Sequence, residues 1–269
     1  MIHLRSLTLN KTKSHEGFPF TIPVLQSLQT LTFTSNVTFF VGENGSGKST
    51  LLEAIACAAE LPTVGSTQTQ TDNTLLHVRP LADALKLTWN RRTRRGFFMR
   101  SEDFFGFVKS IAQTRAELHA DLRRVDEEYA DRSDYARGLA RMALVGELKS
   151  LQDSYGDGLD SQSHGESYFA LFQSRFVPNG LYLLDEPEAP LSPMRQLTFI
   201  SLLSMALRQD AQFIIATHSP IILAYPGADI ISFDHDQLTQ VDYESLEHVQ
   251  VMRSFLDNPD AYLRHLIEE

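Results

Sequence analysis

Apolar and polar positions alternate along the first 41 residues, with Pro and Gly breaks, in the runs IHLRSLTLN, FPFTIPV, LQTLTF and VTFFV. A period of two turns one face of each run inward, so all four are expected to be strands. The period then changes. In STLLEAIACAAEL (49–61), Leu52, Ile55, Ala56 and Ala59 recur at helical spacing and predict a helix. PTVGSTQTQTDNT (62–74) is polar and rich in breakers, so it reads as a loop. ALKLTWN and GFFMR read as two further strands. From 103 to 154 the chain is charged, rich in helix formers and poor in β-branched residues. Two helices, or one long broken helix, are expected there as an insertion in an α/β domain. After residue 180 come two short apolar runs, GLYLLDEPE and AQFIIATHS, of the kind that forms buried parallel strands. A helix is expected between them, over about 194–209.

Composition narrows the classes. The chain has 269 residues, 42% of them apolar, which is enough to bury a core and too apolar for a disordered chain. A net charge of −10 argues against a dedicated nucleic-acid surface. One cysteine, Cys57, cannot close an internal disulfide and reads as a small buried residue in a reducing compartment. The opening strand lacks the apolar core of a signal peptide, and no apolar run reaches the roughly 20 residues that span a bilayer. These features predict a cytoplasmic protein with no direct membrane insertion.

The strongest chemical signal is VTFFVGENGSGKSTLLEAIA, a strand, a glycine-rich turn and a helix. The turn fits G-x-x-x-x-G-K-[ST] through Gly42, Gly47, Lys48 and Ser49, with Asn44, Gly45, Ser46 and Thr50 completing it. Such a turn brings backbone N–H groups onto a phosphate that side chains would obstruct, and the helix that follows aims its positive end at the same anion. Lys48 is expected to neutralise β- and γ-phosphate oxygens, and Ser49 to offer its hydroxyl to Mg²⁺. LYLLDE supplies the acidic partner. Asp185 ends a buried strand where open α/β sheets place ligands, and is expected to hold Mg²⁺ through water. Glu186 is placed to polarise an attacking water. FIIATHS ends a further strand at His218, which is expected to reach a γ-phosphate. SQSHGES (161–167) is plainer: Ser163 with Glu166 three residues later reads as a helix capping box.

These residues, in this order, resemble the ATP-binding-cassette type of ATPase, and in particular its soluble branch that includes the SMC, RecF and OLD-type ATPases. VTFFVGENGSGKSTLLEAIA, SHGES, GLYLLDEPEAPLSP and QFIIATHSPIILAYP also look like a family of small bacterial ATPases. The likeness runs from about residue 1 to 265. It implies a P-loop fold of the ABC-ATPase type: a mixed central sheet, an N-terminal antiparallel β part, and an inserted helical subdomain. The chain would then be one domain over 1–269, with the insertion over 103–167. The resemblance also gives SHGES a second reading. Ser163, His164, Gly165 and Glu166 become a signature segment that acts on the ATP of the other subunit, with His164 where glycine is more usual. A capped helix N-terminus is also an anion site, so both readings hold together. EAPLS (188–192) becomes the loop facing that subunit, and His218 the switch histidine.

Other parts of the resemblance match less cleanly. The residue that couples Mg²⁺ to the insertion is Glu102 or, second, Gln113. Phe18 or Phe20 is the candidate to stack on adenine, although two core phenylalanines on a strand is the plainer reading. Arg91, Arg92, Arg94, Arg95 and Arg100 form either a phosphate or nucleic-acid patch or a solvated hairpin paired with carboxylates, and the acidity of the chain favours the latter. The nine histidines show no metal-ligand spacing. The expected function is Mg²⁺-dependent ATP hydrolysis by a head-to-tail, ATP-dependent homodimer, acting on a partner protein or on DNA. Two other classes compete. One is the nucleotide-binding subunit of a membrane transporter, although SQSHGES lacks the full Leu-Ser-Gly-Gly-Gln signature. The other is a nucleotide-gated module with little turnover, against which Glu186 counts.

Overall fold

A computed structural model describes residues 1–10, 17–64, 69, 72–155 and 164–267. The strands are β1 (Leu4–Leu9), β2 (Thr30–Thr32), β3 (Val37–Val41), β4 (Leu85–Trp89), β5 (Gly96–Arg100), β6 (Leu181–Asp185), β7 (Gln212–Ala216), β8 (Asp229–Ser232) and β9 (Thr239–Gln240). The α-helices are α1 (Pro23–Ser27), α2 (Lys48–Ala58), α3 (Arg79–Ala84), α4 (Ser101–Glu128), α5 (Asp134–Tyr155), α6 (His164–Arg175), α7 (Pro193–Leu207), α8 (Pro220–Leu223), α9 (Glu247–Asp257) and α10 (Pro259–Ile267). A six-stranded sheet in the order β5-β6-β7-β3-β8-β9 is parallel except for β9, and a second sheet, β2-β1-β4, is antiparallel. The chain is thus mixed α/β, with the antiparallel part near its N-terminus.

The central strands are buried on both faces, which explains their unbroken apolar runs. Phe40, Leu183 and Ile214 join one core, while Phe39, Tyr182 and Phe213 join the other. The first core lies between the two sheets and encloses α2. That helix therefore buries Leu51, Leu52, Ala54, Ile55 and Ala56 together, rather than along a single stripe. Cys57 lies there too, with its thiol pushed up to about 11 by burial. The second core is covered by α7, the start of α4 and the later turns of α6; Phe172 meets Phe199 edge to face, and Tyr182 stacks on Phe213.

Two expected elements differ. FPFTIPV is not a strand: residues 17–22 turn, and Pro23 opens α1. Pro19 and Pro23 have no N–H for a ladder, and proline suits the first turn of a helix. The expected loop at 62–74 begins by pairing, since Phe98 N donates to Pro62 O at 2.9 Å and Val64 N to Phe98 O at 3.0 Å. This covers the outer edge of β5. Residues 65–68 and 70–71 lie outside the described residues, and Asn73–Val78 is a 3-10 helix. The charged 101–155 stretch is two helices, α4 and α5, joined by the Arg141–Asp126 ion pair at 2.6 Å. No helix among the described residues is long and apolar enough to cross a membrane.

One side chain ties the two sheets together. Gln212, fully buried at the start of β7, accepts through Oε1 from His3 N and Leu4 N, both at 2.8 Å, and donates through Nε2 to Leu4 O at 3.0 Å. Gln212→Leu keeps the volume but strands three buried backbone groups. It is expected to cost about 3–5 kcal/mol, read as a lower midpoint in urea unfolding, while Gln212→Glu at low pH loses less.

Candidate functional site

The site is built where three adjacent parallel strands end level. Phe40 of β3, Ala216 of β7 and Asp185 of β6 stand in one register row, with Arg100 of β5 next to Asp185. One residue further on, the chains are still stitched together: Thr217 N donates to Phe40 O at 3.2 Å, and Glu186 N to Ala216 O at 2.9 Å. β7 lies between the glycine-rich turn and the acidic pair, so Thr217 and His218 emerge between them.

Gly42 and Gly47 take φ of +141° and +103°, a region that side chains avoid. Space is also short there: a Cβ on Gly42 would meet Asp234 Oδ1 at 3.0 Å, and one on Gly47 would meet Ile22 Cγ2 at 2.9 Å. Gly45 has the same backbone freedom and open space around it, and it is exposed like Asn44. No side chain caps α2, so its first amides point into the turn without a protein acceptor of that kind. Ser46 Oγ is buried and without a partner, and Thr50 is half-buried.

Lys48 is 5% exposed, and its ammonium donates to the carbonyls of Gly42 and, at 2.8 Å, Glu43. Burial lowers its pKa, offset by the carboxylates of Asp185, Glu186, Asp234 and Glu188. Ser49 Oγ donates to Asp185 Oδ1 at 3.1 Å. Burial, helped by Glu186 and Glu53 and opposed by Ser49 and Lys48, pushes the Asp185 carboxyl up to about 7. Glu186 turns the chain out of β6 with φ of +48°, rare for a residue with a side chain. Its carboxylate bears electrically on Lys48, Asp185 and His218.

Two residues at this site carried no chemical role in the sequence reading. Glu188 Oε1 accepts from His218 N at 2.7 Å, and Thr217 hydrogen-bonds the same carboxylate, so Glu188 fixes the loop that presents His218. Burial raises its pKa. Asp234, just past β8, accepts from Glu43 N at 2.9 Å and from Ser232 Oγ at 2.8 Å, which braces the glycine-rich turn from the far side. The only available signal was the third acid of DEPE for Glu188; Asp234 had none.

Other expectations fare differently. Glu102 is 73% exposed and pairs with Arg100 at 3.3 Å, and Gln113 donates to Glu117 at 2.9 Å; neither is brought to the Ser49–Asp185 pair. Phe18 is 56% exposed and stacks on His77 with ring centroids 5.8 Å apart, so it is not a core residue, while Phe20 is partly buried against the first core. Arg91 donates to Asn179 Oδ1, Arg95 to Pro178 O, and Arg92 and Arg94 reach Glu60. Arg100 leaves that surface altogether: it is 9% exposed and held by Asp103 at 2.8 Å, with Glu53 and Asp72 beside it. Ser163 lies outside the described residues. His164, Gly165 and Glu166 form the first turn of α6.

Two family models match. "AAA domain" matches residues 6–74, which include the glycine-rich turn, and "AAA domain, putative AbiEii toxin, Type IV TA system" matches 159–224, which include SHGES, the acidic pair and His218. A curated relative, the "ABC-type organic anion transporter ABCA8B" of Mus musculus, is 26% identical over 184 residues, 68% of this chain. The chain spans about a tenth of that relative's length, since the match covers 10% of it. Among solved structures, the Smc head domain of Pyrococcus furiosus aligns at 12% identity and a TM-score of 0.46, over 96% of this chain and 99% of that one. The cbiO1 component of the ABC transporter complex cbiONQ from Clostridium perfringens aligns at 16% and 0.48, over the whole of both chains.

Asp185 gives a stability test with a definite sign. Between its unfolded value of 3.8 and its folded value of about 7, the folded protein holds a proton that the unfolded chain has lost. The nucleotide-free protein therefore loses stability as pH rises through this window. Asp185→Asn removes the loss, and is expected to gain on the order of 1–2 kcal/mol at pH 8 and little at pH 4. Thermal unfolding of both proteins at the two pH values measures the difference.

Proposed function

We propose that this chain, matched by two AAA-domain models, is a P-loop ATPase domain of the ABC and SMC type that binds ATP with Mg²⁺, hydrolyses it, and dimerises head to tail around two ATP molecules. One observation carries the reading. Ser49 and Asp185, 136 residues apart, meet at 3.1 Å beside the glycine-rich stretch that reads as a phosphate cradle. A hydroxyl and a carboxylate at one strand end form an oxygen-only donor set, which suits a hard cation that takes its remaining ligands from water and phosphate. Among the described residues no group of three His, Cys, Asp or Glu is arranged to hold a metal alone, which fits a cation shared with nucleotide. When bound, Mg²⁺ would neutralise developing charge on the phosphate oxygens.

The chain's own residues supply the rest. Amides of 42–50 and the start of α2 hold the β-phosphate. Lys48 exchanges the carbonyls of Gly42 and Glu43 for phosphate oxygens, which relieves a buried ammonium held by neutral acceptors alone. Glu186 polarises the attacking water, and His218, held by Glu188, faces the γ-phosphate. In the dimer, the start of α6 with Ser163, Gly165 and Glu166 meets the ATP of the partner subunit through its amides. The dimer's output on a partner protein or on DNA belongs to this proposal too.

A second reading has one observation in its favour. The curated relative is a transporter, and its match covers 68% of this chain, so the chain as the nucleotide-binding part of a transporter is the competing assignment. Co-purification with a membrane protein separates the two.

Lys48→Ala is expected to weaken ATP binding by about 100-fold or more with an unfolding temperature close to wild type; calorimetric titration and a thermal melt read both. Glu186→Gln keeps the side-chain shape and removes the charge that polarises water. It is expected to bind Mg-ATP, hydrolyse it at least about 100-fold more slowly, and run as a dimer with Mg-ATP and as a smaller species without it. Light scattering on a sizing column decides, and a mass that never changes despite tight binding overturns the sandwich dimer. Ser163→Arg is expected to stop turnover while leaving ATP binding by the monomer intact. Normal turnover would return SQSHGES to a plain helix cap.

A further inference from the structure

The C-terminal part of the chain also reaches the phosphate loop. A cavity of about 720 Å³ opens beside it, walled by Gly42, Glu43, His218, Asp234 and, from the first turn of α9, His248. Two nitrogens of this wall, His218 Nε2 and His248 Nε2, are buried and have no hydrogen-bond partner. A buried polar nitrogen left so costs about 1–3 kcal/mol, and such groups gather where a ligand is received. Lys48 donates to the carbonyls of Gly42 and Glu43, on the same wall.

The kind of ligand follows from what else lines the space. Asp234 is a carboxylate on this wall, with its oxygens turned to Glu43 N–H and Ser232 Oγ. Glu43 and Glu247 are exposed at the rim. Burial holds both imidazoles below their ordinary pKa, so each is neutral at pH 7 and offers one N–H. Two neutral donors around one space, beside the turn whose Gly42 and Glu43 carbonyls Lys48 holds, suit phosphate oxygens.

We propose that His248 contacts the terminal phosphate of a nucleoside triphosphate held on the phosphate loop, sharing it with His218, and thereby distinguishes triphosphate from diphosphate. The inference rests on the phosphate-loop reading above. It also ties the start of α9 to the nucleotide state, and α9 carries the exposed apolar residues Val251, Met252 and Leu256 into α10.

The test compares wild type with His248→Ala for binding of Mg²⁺ with a non-hydrolysable ATP analogue and with ADP, by calorimetric titration, beside a nucleotide-free thermal melt. The analogue is expected to bind about tenfold more weakly to His248→Ala, ADP within about twofold of wild type, and the melt to stay unchanged. His248→Gln, which restores an N–H donor, is expected to recover most of the loss. Equal weakening of both nucleotides, or none of the analogue, overturns the proposal. If His248→Ala does not fold, His248→Gln and His248→Met, alike in bulk but not in the N–H, decide by the same ratio. Lys48→Ala keeps the two readings apart. If it still binds nucleotide, the phosphate-loop reading has failed. If it does not, an unchanged ratio at His248 sinks this inference alone.

Discussion

The site depends on β7 being the strand that separates β3 from β6. Parallel ladders on both sides hold Phe40, Ala216 and Asp185 level, and the next residues remain tied across the strand ends. This one constraint delivers the glycine-rich turn, His218 and the acidic pair to a common edge, although they are spread over 177 residues from Gly42 to His218, both ends included. A different strand order with the same residues would leave Ser49 and Asp185 apart. Strand ends of open α/β sheets gather ligands for this reason: several chains turn away from the sheet at one place and expose backbone and side chains together.

That edge is electrostatically tense. Lys48, Asp185, Glu188 and His218 are all drawn by burial towards their neutral forms. The opposed charges moderate this but do not cancel it. Ser49 and Lys48 hold Asp185 down, while Glu186 and Glu53 push it up. A polyanion with a divalent cation relieves several of these costs together, since the cation favours the ionised Asp185 and the phosphate favours the ammonium of Lys48. Stability is conceded at the edge and regained in the cores, which are apolar on both faces of the sheet.

Beyond the edge, polar side chains hold large pieces of the molecule in place. Gln212 joins the antiparallel sheet to β7, Arg100 gathers Glu53, Asp72 and Asp103 between α2 and α4, and Asp234 braces the turn. Gln212 and Arg100 are buried and Asp234 is exposed, yet each bonds or pairs with a residue far away in sequence: Gln212 with His3, Arg100 with Glu53 and Asp234 with Glu43. Arg100 illustrates how far a local reading goes. In sequence it closes an arginine-rich run, yet its strand carries it inward while Arg92 and Arg94 stay at the surface with Glu60.

Local chemistry determined a good part of this protein. Glycines at Gly42 and Gly47 with Lys48 and Ser49 after them make sense only as a turn closing onto a helix, and the apolar runs before Asp185 and His218 make sense only as strands buried on both faces. Periodicity failed where short-range rules compete. FPFTIPV alternates, but its prolines cannot join a ladder, and β8, four residues long, is too short to declare a period. Strand order, and with it the meeting of Ser49 with Asp185, was decided by the tertiary structure alone, because apolar runs of equal character do not say which neighbours they choose. The same holds for Gln212, Glu188, Asp234 and His248. Their types are ordinary in sequence, and what they do depends on groups brought to them from distant parts of the chain.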